Sequence, residues 1–201
     1  MIALVDYGAG NLTSVRKALA AVGAGVFIPA AAVDLERAAG IVVPGVGHFG
    51  ATRALGAAWI ERIRAHIAAG RPLIGICLGM QWLFDASDEA PDVGGVGVFS
   101  GCCTRLETHG TDVKVPHVGW NNVNLCRRDW IADGITDGTQ VYFTHSYAAP
   151  LTGDAVASAE HGSRFAAIVQ RGNVAGVQFH PEKSGDAGLR ILRNFVRRAL
   201  S

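Results

Sequence analysis

The sequence predicts a three-layer α/β/α fold with a mixed, mostly parallel central sheet. In the first half, apolar runs that end at glycine or proline alternate with helical patterns, which is typical of parallel β-α-β units. In the second half, short apolar runs follow one another with little helix between them, which indicates antiparallel strands at one side of the sheet. With 201 residues, 49% of them hydrophobic and 17% charged, we expect one compact domain over residues 1–201.

Four strands and two helices are predicted before Cys77. Residues 2–5, 26–28, 40–43 and 72–76 are apolar runs of the kind found in strands buried on both faces. A helix begins after Asn11 or Thr13, since either side chain can cap it, and ends near Gly23. A second helix covers residues 55–69, where apolar side chains recur about every four positions.

The second half contains further strand candidates and a final helix. The strands are expected at residues 141–143, 155–159, 166–170 and 175–179. Residues 189–200 have the apolar spacing of an amphipathic helix that packs one face on the sheet.

Composition excludes several classes of function. The chain has 18 basic and 17 acidic residues, so its net charge is +1, and no basic stripe indicates nucleic-acid binding. No apolar stretch approaches the roughly 20 residues that span a bilayer, and the start of the chain does not resemble a signal peptide. We therefore expect a cytoplasmic protein that recognises its partners through a local surface.

The cysteines indicate a reduced protein without a metal site. Cys77, Cys102, Cys103 and Cys126 form no C-x-x-C pair, and the adjacent Cys102 and Cys103 rarely bridge each other. This usage is typical of a cytosolic chain. The sequence has neither an H-E-x-x-H segment nor paired Cys/His spacing, so we expect no metal and no cofactor.

Cys77 has the most informative local context. It is the centre of a G-x-C-x-G segment at residues 75–79, between a buried strand and a helix candidate. This is the cysteine form of the nucleophile elbow, in which glycines let strand and helix crowd around a strained residue. The helix N-terminus favours a thiolate, and the N–H of Leu78 is placed to stabilise an oxyanion. On this pattern alone, a small buried hydrophobic cysteine is an equally good interpretation.

Two histidines are candidates for the base that a cysteine nucleophile needs. His180 ends an apolar run and is followed by Pro181 and Glu182, whose carboxylate can reach back to the ring. His145 also follows a strand but has no carboxylate nearby in sequence. His66 is expected to be solvated, and His109, His117 and His161 show no partner pattern.

Two glycine-rich segments follow strands. Residues 6–11 lack the third glycine of a dinucleotide fingerprint, so we expect a backbone turn that exposes Asn11. Residues 44–47 read Pro-Gly-Val-Gly, and backbone amides there can approach a ligand and supply a second oxyanion donor. A simple tight connection remains an equal alternative for the second segment.

Together these segments resemble the class I (triad) glutamine amidotransferases, which have a flavodoxin-like α/β/α fold. Residues 75–81 resemble the nucleophile motif of that family, and residues 178–182 resemble its His-x-Glu motif. Residues 6–12, 44–47, 116–121 and 145–147 resemble the branch of the family that works in histidine biosynthesis. The resemblance covers nearly the whole chain.

The resemblance implies a role for each group of residues. Cys77 attacks the side-chain amide of glutamine, His180 transfers the proton and Glu182 orients His180. The backbone N–H of Leu78 and one of Gly45 or Val46 stabilise the oxyanion. Glutamine itself is held by Gly47, Gln81, His145, Ser146 and Tyr147.

The resemblance also implies a partner. The ammonia passes through a tunnel to a cyclase subunit with a (β/α)₈ barrel, in a heterodimer whose interface includes Asn11 and Lys183. Other glutaminases of this class have a double glycine where this chain has Gly45 and Val46. Because Val46 has a Cβ, turning this peptide is costly, and we expect the isolated chain to be nearly inactive until the cyclase binds.

Three alternatives remain at this point. Another glutaminase of the same superfamily, such as that of pyridoxal phosphate synthesis or a fused amidotransferase domain, shares the triad. A catalytically silent α/β scaffold would show no preferential reaction at Cys77. A cysteine protease fits less well, since no extended cleft is inferred from the sequence.

Overall fold

A computed structural model describes residues 1–108 and 112–201 of the chain. His109, which showed no partner pattern in the sequence, lies outside the described residues. The described strands, labelled in chain order, are β1 (Ile2–Leu4), β2 (Val26–Phe27), β3 (Gly40–Val43), β4 (Leu73–Ile76), β5 (Ala86–Ser87), β6 (Cys102–Arg105), β7 (His117–Leu125), β8 (Thr139–His145), β9 (Tyr147–Ala148), β10 (Ala155–His161), β11 (Ser163–Arg171) and β12 (Val174–Val177). The α-helices are α1 (Leu12–Ala21), α2 (Ala57–Ala68), α3 (Leu78–Trp82) and α4 (Gly185–Leu200).

The central sheet is mixed, as predicted. Its order is β2-β1-β3-β4-β12-β11-β10-β7-β8. The pairs β2–β1, β1–β3, β3–β4 and β4–β12 are parallel, and the four remaining pairs are antiparallel. The antiparallel strands therefore lie at one side. The late strand β12 returns to the middle of the sheet and pairs with β4, with Val177 opposite Ile76.

Helices cover both faces of this sheet and form the other two layers. On one face, Leu19 of α1 and Ile191 and Phe195 of α4 are completely buried in one apolar cluster. On the other face, Ile63 of α2 is completely buried in a second cluster with Trp82 of α3. Burial of each such side chain contributes about 1.5–3 kcal/mol, so these helices are held mainly by their apolar faces.

The structure refines several predicted boundaries. The side chain of Asn11, rather than that of Thr13, caps α1 by accepting a 3.2 Å hydrogen bond from the Ser14 N–H. The helix predicted over residues 55–69 begins only at Ala57, because a separate 3₁₀ turn, Phe49–Ala54, precedes it. Further 3₁₀ turns are Ala32–Arg37, Trp130–Ala132 and Pro181–Lys183.

Strand β7 was not predicted. Its sequence includes Asn121, Asn122 and Asn124, and asparagine is depleted in strands, so its pattern does not resemble a buried strand. It forms all the same because it pairs with β8 along seven residue positions. Val118 and Trp120 of β7 remain more than half exposed.

Among the described residues, no helix combines the length and apolar character that a membrane crossing requires.

Candidate active site

Loops that carry polar side chains meet at one edge of the sheet. The parallel strands β1, β3, β4 and β12 all end there, and they are followed by Tyr7, residues 44–47, Cys77 and His180. In open α/β sheets the carboxyl ends of parallel strands form the usual crevice for ligands. The pairing of β12 with β4 places residues about 100 positions apart side by side, and the Cys77 N–H donates to the Val177 carbonyl at 2.7 Å.

Cys77 occupies a strained turn between β4 and α3. Its backbone has φ 52° and ψ −108°, and among the described residues it is the one non-glycine residue with positive φ. Such a conformation costs about 1–3 kcal/mol and persists where the surrounding structure enforces it, often at a functional site. The predicted elbow is thus present. Helix α3 has only five residues, so its dipole assists less than the sequence suggested.

The two flanking glycines allow strand and helix to approach this closely. A Cβ at Gly75 would lie 2.5 Å from the carbonyl oxygen of Gly79. A Cβ at Gly79 would overlap the carbonyl oxygen of Val43 in the neighbouring strand. The G-x-C-x-G pattern is therefore required by backbone packing on both sides of Cys77.

His180 and Glu182 form a buried pair beside this turn. Nδ1 of His180 and Oε1 of Glu182 are 2.8 Å apart, and both side chains are 2% exposed. With Nδ1–H donating to the carboxylate, the lone pair of Nε2 is available to accept a proton. Nε2 is buried and has no hydrogen-bond partner among the described residues. The pair therefore has the arrangement of a base with its orienting group.

The charge state of His180 depends on Cys77. Burial lowers the pKa of His180, but its interactions with Cys77 and with Glu182 outweigh burial and raise the pKa to about 9. At neutral pH this environment favours the protonated, imidazolium form of His180.

The predicted oxyanion donor is occupied. The N–H of Leu78 donates to the carbonyl of Gly45 at 3.4 Å, a long hydrogen bond. The carbonyl of Gly45 thus lies where a developing oxyanion would need to accept. The next side chain in the loop, Val46, is exposed. In this conformation the loop at residues 44–47 blocks the site that Leu78 was predicted to form.

A cleft of about 270 Å³ opens beside Cys77. The five residues predicted to hold a substrate all line it: Gly47, Gln81, His145, Ser146 and Tyr147. Glu89 also lines the cleft and was not predicted from the sequence. Its Oε2 accepts a 2.6 Å hydrogen bond from the Phe49 N–H, which holds the carboxylate at the rim.

Gln178 is a second residue of the site that the sequence did not indicate. It is completely buried, and its Nε2 donates to Sγ of Cys77 at 3.6 Å. Its Oε1 accepts from Nε2 of Gln81 at 3.1 Å, and Gln81 also donates to the Tyr147 carbonyl at 2.7 Å. The two amides therefore link Cys77 to the cleft wall. The available signal was a lone polar residue in the apolar run at residues 174–179.

His145, the alternative base, is held as a structural group. Its Nδ1 lies 3.0 Å from the Tyr147 carbonyl and its Nε2 lies 3.2 Å from Nδ1 of His117. Burial lowers the pKa of His145 to about 3, and His117 adds to the effect. Both ring nitrogens are engaged, so the geometry favours His180 as the base.

One expectation for the other histidines was wrong. His66 is buried rather than solvated, with Nε2 3.0 Å from the Pro72 carbonyl, and burial lowers its pKa to about 4. The His66 side chain points inward because α2 packs on β4, which begins directly after Pro72. His117 and His161, for which the sequence showed no partner pattern, stack with ring centroids 4.0 Å apart, and His117 also contacts His145.

The two residues predicted to face a partner are both exposed. Asn11 caps α1, whose Ser14 lines the same groove as Glu182. Lys183 follows Glu182 directly, and its Nζ lies 5.6 Å from the centroid of the Tyr142 ring.

Among the described residues, no group of three or more His, Cys, Asp or Glu side chains is arranged to hold a metal ion.

Comparison with known proteins places this geometry in a family context. The sequence model described as "Glutamine amidotransferase class-I" matches residues 3–199. Proteins named "Imidazole glycerol phosphate synthase subunit HisH" are similar over almost their entire length. The one from Gloeobacter violaceus is 46% identical and covers 100% of this chain and 90% of its own. The one from Methanosarcina acetivorans is 44% identical and covers 97% of each chain.

Solved structures share the fold at lower sequence identity. One described as a crystal structure of glutamine amidotransferase has a TM-score of 0.77 at 19% identity and covers 100% of both chains. Another, described as the structure of PurLQS from Thermotoga maritima, has a TM-score of 0.74 at 18% identity. It covers 98% of this chain and 97% of that one.

Proposed function

Since the chain belongs to the class-I glutamine amidotransferase family, we infer that it is the glutaminase subunit of an imidazole glycerol phosphate synthase. It hydrolyses glutamine to glutamate and ammonia, and the ammonia serves histidine biosynthesis. The observation that carries the mechanism is the buried His180–Glu182 pair beside a strained Cys77. A continuous sheet from Ile2 to Val177 supports a single amidotransferase domain over residues 1–201.

The first half-reaction is proposed to transfer the glutamyl group to Cys77. Sγ attacks the side-chain amide carbon of glutamine, and His180 Nε2, which has accepted the thiol proton, donates it to the departing nitrogen. The C–N bond breaks, ammonia leaves and a thioester remains. Glu182 keeps Nδ1 of His180 protonated and stabilises the imidazolium ion.

The second half-reaction is proposed to release glutamate. His180, now neutral, accepts a proton from water as the water oxygen attacks the thioester carbonyl. The C–S bond breaks, and the proton returns to the sulfur of Cys77. The hydrogen bond from Gln178 to Sγ supports both steps because it stabilises negative charge on the sulfur.

The cleft has the chemistry to bind the amino-acid end of glutamine. We propose that Glu89 attracts the α-ammonium group, since it is the carboxylate among the residues that line the cleft. Backbone groups of Gly47, Ser146 and Tyr147 and the side chain of Gln81 orient the rest of the molecule. His145, held neutral by burial, fixes the backbone of Tyr147.

The oxyanion hole is proposed to form only after the peptide between Gly45 and Val46 turns over. The turn removes the Gly45 carbonyl from Leu78 and brings the Val46 N–H into the site, which gives two donors in place of one blocked donor. The present Leu78–Gly45 hydrogen bond supports this view, because it makes the isolated chain a resting state.

Relatives that are subunits of a synthase imply a partner subunit for this chain. We propose that the partner is a cyclase with a (β/α)₈ barrel, that the pair is a heterodimer in the cytoplasm and that ammonia reaches the cyclase through a tunnel. The surface beside Glu182 supports this: Asn11 and Lys183 are exposed there, and Trp120 is 56% exposed. The Trp120 ring contacts Tyr142, over which Lys183 lies. This surface offers an aromatic anchor with a neighbouring cation.

Addition of the cyclase subunit is expected to raise the glutaminase rate by about 10²-fold or more, because one oxyanion donor alone contributes about 10²- to 10³-fold. Glutamate release is measured for the purified chain alone, with the cyclase and its ligand, and with an unrelated (β/α)₈ protein as control. Equal rates of glutamate release with and without the cyclase would contradict the proposed activation. Failure of an active chain to restore growth of a histidine auxotroph that lacks this subunit would exclude the histidine pathway.

A further inference from the structure

The hydroxyl of Tyr7 has no role in the mechanism so far, although it lies next to Gly45 in the loop at residues 44–47. Its Oη is buried and has no hydrogen-bond partner among the described residues. Burial, with a further contribution from Cys77, raises the pKa of Tyr7, so the hydroxyl keeps its proton and remains a donor. Buried polar atoms are nearly always paired, so an unpaired one requires an explanation.

The nearest backbone to this hydroxyl is the loop that blocks the oxyanion site. A Cβ at Gly45 would overlap Oη of Tyr7 and would lie 2.9 Å from Cβ of Leu78. Gly45 is therefore enclosed between the Tyr7 hydroxyl and the nucleophile turn. Its carbonyl now accepts from the Leu78 N–H. When the peptide turns over, that carbonyl loses this donor and needs another.

We propose that Tyr7 is a positioning residue that stabilises the active orientation of the Gly45–Val46 peptide by donating its hydroxyl proton to the Gly45 carbonyl. In this orientation neither the Tyr7 hydroxyl nor the Gly45 carbonyl lacks a hydrogen-bond partner, because the two bond to each other. The Leu78 N–H and the Val46 N–H are then both directed at the oxyanion. This inference rests on the proposed function and adds a residue to its activation step.

The position of Tyr7 also connects activation to the partner surface. Tyr7 lies between β1 and the cap residue Asn11, in a short loop where Oδ1 of Asp6 accepts a 3.0 Å hydrogen bond from the Gly8 N–H. A partner that contacts Asn11 therefore acts on the loop that carries the hydroxyl. The aromatic ring packs against the apolar cluster that contains Leu78, so a phenylalanine can fill the same space.

Tyr7→Phe tests the proposal because it removes only the oxygen. In the complex with the cyclase and its ligand, we expect kcat for glutamine hydrolysis to fall about tenfold, the effect of one lost hydrogen bond in the transition state. KM for glutamine is expected to stay constant, because Tyr7 does not line the cleft. The melting temperature of the isolated variant is expected to equal or exceed that of the wild type, since an unpaired buried hydroxyl is gone.

The combination of lower kcat with undiminished stability separates positioning from a structural role. An unchanged kcat in an active complex would overturn the proposal for Tyr7 and leave the proposed function intact. A parallel fall in kcat and melting temperature would also overturn it, since a merely structural defect lowers both. A wild-type complex without glutaminase activity would overturn the proposed function, and this proposal with it.

Discussion

Replacement of Cys77 by alanine is expected to lower the rate of glutamine hydrolysis by about 10⁴- to 10⁶-fold, because the covalent route is lost. Alanine keeps the backbone environment of the turn and removes only the sulfur, which Gln178 contacts at 3.6 Å. Glutamate release by the variant in complex with the cyclase measures the effect. A loss of less than tenfold would mean that hydrolysis does not pass through a thioester on this residue.

Two controls make the Cys77→Ala result specific. Cys126→Ala removes an exposed cysteine far along the sheet and is expected to leave the rate unchanged. The Cys77→Ala complex, supplied with an ammonium salt in place of glutamine, is expected to retain the synthase reaction of the partner. Loss of the ammonium-dependent reaction would indicate a damaged interface rather than a missing nucleophile.

Gly79→Ala is expected to have the largest effect on stability. The added Cβ would overlap the carbonyl oxygen of Val43, which is part of the sheet backbone and cannot rotate away. We expect the free energy of unfolding to fall by about 3 kcal/mol or more, at the upper end of overpacking effects. Urea denaturation followed by circular dichroism measures the change.

A control substitution at another glycine distinguishes the steric overlap at residue 79 from the general effect of replacing glycine by alanine. Gly153 is exposed and has no atom within 4 Å of the position that its Cβ would occupy. Gly153→Ala is therefore expected to keep the wild-type midpoint or to raise it slightly. Equal stability of Gly79→Ala and Gly153→Ala would contradict the packing described for the nucleophile turn.

Local patterns predicted those parts of the site that depend on one segment of chain. A Cβ at Gly75 would meet Gly79 within the same segment, so this part of the elbow could be identified from the sequence, whereas the contact between Gly79 and Val43 is not local. His180 and Glu182 are two positions apart, and their pairing is also a local feature. The strands that carry them were predicted for the same reason, since a continuous apolar run needs no knowledge of its neighbours.

The remaining features depend on which strands become neighbours. Gln178 reaches the sulfur because β12 pairs with β4 across about 100 residues, and no local pattern contains that pairing. Glu89 reaches the cleft rim because Phe49, 40 positions away, donates to it. His66 was misjudged because its burial depends on packing between elements. The Leu78–Gly45 hydrogen bond is likewise a property of two loops that meet only in the folded chain.

The most direct test of the central claim is the site at which a diazo-ketone analogue of glutamine reacts in the complex with the cyclase. Peptide mass spectrometry after digestion locates the adduct. We expect it on Cys77, although this residue is only 4% exposed, whereas iodoacetamide, which lacks the glutamine group, should react first with the exposed Cys126. Burial raises the pKa of Cys103, which should remain unmodified. An analogue adduct mainly on Cys126, or on no cysteine, would contradict the assignment of Cys77 as the nucleophile.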